Sequence, residues 1–223
     1  MKDYLHFGLS MPTHRTDYGS LRSREIDKII TFLQQRGLLI AECFDTHIII
    51  VYPSLFEDIK EVLTQNGWDP LLIGATLPNL RQETDLTLAQ SRTLEVCSPG
   101  PLIVLRDSTW NADVFAVTIP DSFDLRDICC IFNGTMKVFI RKNKGRLKQI
   151  EDELHNLRLE QYHIRKMGVL ESPFYEEDMS KQATVVKILG PGNVKCIDEG
   201  EISLKNVIEA SKSISQWEIG EWA

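Results

Sequence analysis

The sequence has no glycine-rich phosphate loop, no CxxC motif and no long apolar run. Each absence closes off a class of protein. Without GxxxxGK[ST] or GxGxxG, the two familiar ways of holding a pyrophosphate on a helix N-terminus are missing. Gly190-Pro191-Gly192 comes nearest, but it lies between two predicted strands and its proline has no amide to offer, so it reads as a hairpin turn. The five cysteines, Cys43, Cys97, Cys129, Cys130 and Cys196, are odd in number and widely spaced, with no CxxC. A disulfide framework is not expected. Free thiols in a reducing, cytoplasmic setting are. Residues 1–15 carry Lys2, Asp3, His6 and Arg15 and no apolar stretch of the signal-peptide kind. The longest apolar runs, 38–41 and 48–52, are strand-length, and a membrane-crossing helix needs about 20 residues, so no membrane role is expected.

Catalytic signatures are equally scarce. GxSxG is absent, and Cys97 lies in Glu95-Val96-Cys97-Ser98-Pro99 with no base beside it in sequence. His14-Arg15-Thr16 has the H-x-T form of two-histidine phosphoesterases, but no second such tripeptide follows; His47, His155 and His163 precede Ile-Ile, Asn-Leu and Ile-Arg. Pro120-Asp121 could open a nuclease motif, yet the strand after it, Met136-Lys137-Val138, offers no acid. Metals need several ligands at short spacing on rigid elements. Cys43 and His47 are only two, and the adjacent Cys129 and Cys130 would diverge by about 100° on a helix. No metal and no cofactor are expected, and the balance leans against an enzyme.

What is present is ordinary globular material: 223 residues, 43% hydrophobic and 26% charged, with a net charge of −7. That charge argues against coating nucleic acid by bulk electrostatics. Only residues 101–168 carry more cations than anions, 11 Lys and Arg against 9 Asp and Glu.

Periodicity and punctuation predict an α+β chain. A strand over 4–11 is followed by a helix from Ser20 carrying Leu21, Ile26, Ile29, Ile30 and Leu33, closed by Gly37. Strands over 38–43 and 47–52 form a hairpin. Ser54-Leu55-Phe56-Glu57 matches a capping box and opens a second helix, ended by Asn66-Gly67 before a strand over 68–75. The order β-α-β-β-α-β predicts a ferredoxin-like domain over 1–78. Residues 79–101, with Pro99, Gly100 and Pro101, read as a connecting segment in which Leu80, Leu86 and Leu88 could sit on a short helix. A second α+β domain over 102–223 is expected, with a short helix capped at Ser122 or Asp121, a long helix over 144–167, and a C-terminal hairpin followed by a helix capped at Ser203.

Two features carry the candidate function. Lys137, Arg141, Lys142, Lys144, Arg146 and Lys148 fall within twelve residues that contain no acid. They run off a strand into a helix N-terminus, where an anion is already favoured, so they form a candidate anion or nucleic-acid site. A solvated basic loop is the plainer reading. Leu147, Ile150, Leu154, Leu157, Gln161 and Ile164 follow a 3-4-3-4-3 spacing, a heptad stripe that could pair helices, with Gln161 fixing register, or could pack on a neighbouring sheet. The leading expectation is a non-catalytic binding or assembly protein, an oligomer or a partner of another protein. The alternative is nucleic-acid binding through 137–148, and a second alternative is an enzyme whose residues converge only in three dimensions.

Overall fold

The computed structural model describes residues 5–8, 18–43, 45–105, 116–142, 147–171 and 182–213. The chain is a mixed α/β protein that divides into two compact units, each assembled from two separate stretches: Met1–Pro70 with Lys137–Ser180, and Leu71–Met136 with Lys181–Ala223. These units are not the consecutive domains expected at 1–78 and 102–223.

In the first unit the strand order is β1-β8-β2-β3-β7, with β1 Leu5–Gly8, β2 Gly37–Cys43, β3 Thr46–Val51, β7 Thr135–Lys142 and β8 Lys166–Glu171. β1, β8 and β2 are parallel, whereas β3 runs antiparallel to both β2 and β7. The predicted β-α-β-β-α-β element order is present, but the ferredoxin-like sheet is not. β8 separates β1 from β2, and β4 (Asp69–Gly74), the intended fourth strand, pairs with β6 instead. Nothing local in a sequence records that a strand 130 residues downstream inserts beside β2, because parallel neighbours are joined by long crossovers.

β2 and β3 are apolar at nearly every position, as strands covered on both faces must be. Leu38, Ile40, Ile49, Val51 and Phe139 face Phe56, Ile59 and Leu63 of α2 (Phe56–Gln65) together with Trp68. Ile150 and Leu154 of α6 (Leu147–Asn156), then Leu159 and Ile164, complete this core. The alternate residues Leu39, Ile48 and Ile50 are equally buried, and α1 (Tyr18–Gln34) packs on β1 and β2. α1 ends with Arg36 in the left-handed region at φ 64°, so the turn residue is Arg36 and not the expected Gly37. Gly37 serves close packing: a Cβ there would stand 2.4 Å from the Phe32 ring.

The expected capping box at Ser54 does not form. Pro53–Leu55 makes a 3-10 turn, and α2 starts after Leu55 with no side-chain cap. The long helix over 144–167 is also shorter than expected. α6 ends at Asn156, Arg158 enters the left-handed region at φ 51°, and Leu159–Tyr162 forms a 3-10 turn before His163, again left-handed, leads into β8.

In the second unit the order is β4-β6-β5-β9-β10, with β5 Leu102–Leu105, β6 Ala116–Thr118, β9 Thr184–Gly190 and β10 Asn193–Asp198. Leu72, Val104, Val117, Val186 and Ile188 pack against Leu80, Leu94 and Val207. Residues expected as a connector hold two helices, α3 (Leu77–Glu83) and α4 (Leu88–Cys97). α4 opens with a true capping box: Thr87 accepts from Gln90 N, and the Gln90 side chain accepts from Thr87 N. α5 (Phe123–Ile131) and α7 (Leu204–Lys212) start at Ser122 and Ser203, each hydroxyl accepting from the amide three residues on.

Candidate anion-binding edge

The strand directions of the first unit bring one kind of terminus to one side. Gly8 pairs with Glu171, Ala41 with Leu170, Cys43 with Thr46 and Thr46 with Lys142. The carboxyl ends of β1, β8, β2 and β7 therefore share an edge, and β3 begins there. In open α/β sheets this is the side on which ligands bind, because backbone amides and helix N-termini point outward from it. α6 opens after β7, with no acidic residue in its first turn. A helix N-terminus favours an anion.

The six basic candidates divide by their place on β7. Lys137 and Arg141 lie on the core side with Phe139. The Lys137 ammonium pairs with Glu57 at 3.1 Å and stands 5.5 Å from the centre of the Phe56 ring, which itself stacks on Phe139. The Arg141 guanidinium lies 4.4 Å from the Trp68 ring centre and donates to Glu153 Oε2 at 2.7 Å. These two cations anchor α2 and α6 to the strand. Lys142 points the other way and meets Asp45 Oδ2 at 3.5 Å, with its side chain about half exposed. Lys148 is exposed in the first turn of α6. Lys144 and Arg146 lie outside the described residues, as does His14.

The heptad residues face inward. Ile150, Leu154 and Ile164 are buried in the core, Leu147 and Leu157 pack against it half-buried, and Gln161 is exposed in the 3-10 turn. The stripe therefore covers the unit's own sheet and leaves no continuous apolar seam for a second helix. Of the other residues at the edge, sequence offers His47 only as half of an incomplete metal pair and does not single out Asp45. Asp45 lies in the hairpin turn between β2 and β3, and His47, on β3, is fully buried and sits opposite Arg141 in the β3–β7 register. The alternation of β3 and β7 gives their faces, but their partnership is non-local. Among the described residues, no group of three or more His, Cys, Asp or Glu stands close enough to hold a metal ion. No helix among them is long and apolar enough to cross a membrane.

No protein-family model matches the chain, and no curated protein matches it. Solved structures do. The structure of E. coli YciO superposes with a TM-score of 0.64 at 10% identity, covering 93% of this chain and all of YciO. The fold is similar to that of YciO and Sua5. A doubly substituted P. abyssi Sua5 superposes with a TM-score of 0.59 at 10% identity over 95% of this chain. P. abyssi Sua5 complexed with L-threonine superposes with 0.58 at 9% identity over 94%. The chain spans 61% of the length of either Sua5 chain.

These likenesses concern the fold, but they bear on the leading expectation. A non-catalytic assembly protein acting through protein–protein contacts was argued from an absence of ligand motifs and from the heptad stripe. The YciO/Sua5-like fold includes a member solved with a small ligand in place, and the stripe is internal. That expectation is overturned.

Proposed function

We propose that the chain is a nucleic-acid-binding protein whose contact surface is the carboxyl edge of the first unit, with Lys142, Lys144, Arg146 and Lys148 meeting phosphates. The observation that carries this reading is the position of Lys142 and Lys148. Both are exposed, and they bracket the strand-to-helix corner where β7 ends and α6 begins. Lys144 and Arg146 fall between them in sequence, and no acid interrupts the run. Lys137 and Arg141 drop out of the binding set, because each is engaged with a carboxylate and an aromatic ring inside the unit. The net charge of −7 fits a local contact and not a general coating.

The test is fluorescence anisotropy of a labelled single-stranded RNA at low salt. Wild type is expected to bind. Combined reversal of Lys142, Lys144, Arg146 and Lys148 to glutamate is expected to remove binding, whereas Lys195→Glu in the second unit leaves it. Equal binding by wild type and the fourfold variant refutes the reading.

A second reading has its own support. One structure of similar fold holds L-threonine, and this edge presents both signs of charge, Asp45 and Lys142 at 3.5 Å. An amino acid needs both, one for its ammonium and one for its carboxylate. Isothermal titration with L-threonine is expected to give saturable heat that Asp45→Asn removes. No heat at millimolar ligand refutes it.

A further inference from the structure

A separate cavity of about 680 Å³ opens on the second unit. It lies between the last turn of α4, the loop Ser98–Pro101 and one face of α7. Neither the basic segment nor the carboxyl edge contributes to it.

Its chemistry is lopsided. Among the described residues, no lysine, arginine or histidine lines it, and the one formal charge is the carboxylate of Glu209. The α4 helix ends here at Cys97, so the partial negative charge of a helix C-terminus falls on the same space. Val96, 61% exposed, supplies an apolar surface at the wall. Pro99, Pro101 and Ile202 extend that apolar wall. Burial pushes the Cys97 thiol up, so it stays protonated at neutral pH and behaves as a small apolar group. The Ser98 hydroxyl oxygen is buried beneath the wall and has no hydrogen-bond partner. A buried hydroxyl left in that state is unfavourable, and a polar group entering the cavity would relieve it. Gly100 keeps the floor low: a Cβ there would stand 3.0 Å from the Cys97 carbonyl and 3.9 Å from Ile202 Cδ1.

We propose that this cavity binds a small amphiphilic amine, its aliphatic body against Val96, Pro99 and Ile202 and its ammonium group at Glu209. Glu209 has a cation near it, Lys212 Nζ at 3.6 Å, but both side chains are more than half exposed. Solvent screens so exposed a pair, and a bound ammonium competes with it readily. An anionic ligand is disfavoured by the carboxylate and the helix end together. A neutral ligand of the same shape gains the apolar contacts but not the charge.

The test follows backbone amide signals of Gly100, Ile202 and Asn206 by NMR as n-pentylamine or n-pentanol is titrated into the full chain. The titration extends into the millimolar range, where a ligand with so few atoms to contact the protein is expected to bind. The amine is expected to bind about fivefold tighter than the alcohol, the ratio that one surface-level ion pair supplies. Glu209→Gln is expected to equalise the two. Asn206→Trp, which adds bulk at an exposed lining position, is expected to abolish both. Absence of shifts in these amides overturns the proposal. So does equal affinity for amine and alcohol in wild type, or an amine affinity that Glu209→Gln leaves unchanged.

Discussion

Replacing Leu154 with alanine separates the two roles open to its helix. Leu154 is 1% exposed and packs with Ile150, Leu159 and Ile164 against the strands of the first unit. Removing a buried leucine side chain forfeits its transfer from water and leaves a cavity that the surroundings fill only in part, about 2–5 kcal/mol in all. In a chain of 223 residues each kcal/mol lowers Tm by about 2–4 °C, so a mid-range loss of about 3 kcal/mol lowers it by about 6–12 °C. Gln161, exposed in the 3-10 turn, provides the contrast: Gln161→Ala is expected to change stability by less than about 0.5 kcal/mol. Thermal unfolding followed by far-UV circular dichroism gives both stability changes. Light scattering over a range of concentrations reports association, which neither substitution is expected to alter. The reasoning is refuted if Leu154→Ala unfolds within about 1 °C of wild type while shifting the protein between oligomeric states, for that is the behaviour of a seam residue.

Gly134 sits at φ +88°, and a Cβ there would lie 2.2 Å from the Asn79 side-chain nitrogen. Gly134→Ala is expected to destabilise by about 1–3 kcal/mol in urea unfolding, and an unchanged midpoint contradicts it. Burial, with Cys130 beside it as a lesser cause, pushes the Cys129 thiol up to about 12, while Cys130 is exposed on the same helix. Alkylation at pH 8 read by mass spectrometry is expected to mark Cys130 and spare Cys129 until the protein unfolds; equal labelling contradicts the burial. The same shift sets a pH dependence. The unfolded thiol loses its proton near pH 8.5 and the folded one near 12, so stability falls across that window by about 1.4 kcal/mol per pH unit from this group. Cys129→Ser is expected to remove that slope.

Local signals in this sequence were readable where the chain acts locally. The strands β2 and β3, the helix α2 with its apolar face, and the Ser122 and Ser203 caps are written in spacing and punctuation, and the structure has them. Two local signals misled. The 3-4-3-4-3 stripe continued past Asn156 although the helix did not. Leu159 and Ile164 reach the same core from a 3-10 turn, so an unbroken apolar period does not require an unbroken helix. Thr87-x-x-Gln90 carried a genuine capping box inside a stretch that looked like a connector because of its prolines and polar residues. The sheet order was beyond local reading. β8 between β1 and β2, and β4 beside β6, depend on crossovers longer than any window of periodicity.

The basic segment was legible as a run of charge, but not as two populations. Alternation along β7 sends Lys137 and Arg141 toward Phe56 and Trp68, where carboxylates from α2 and α6 meet them. Lys142 is sent to the opposite face. Strand periodicity predicts that division once the strand is accepted; the identities of Glu57 and Glu153 as partners come from packing alone.

The salt dependence of RNA binding tests the central claim most directly. Each phosphate neutralised on a single strand contributes a slope of about −0.7 to log affinity against log salt. Four cations at the β7–α6 corner predict a slope near −3, and Lys148→Glu is expected to flatten it by roughly one phosphate's share. A slope near zero, or one that reversal at Lys142 and Lys148 leaves untouched, contradicts nucleic-acid binding at this edge.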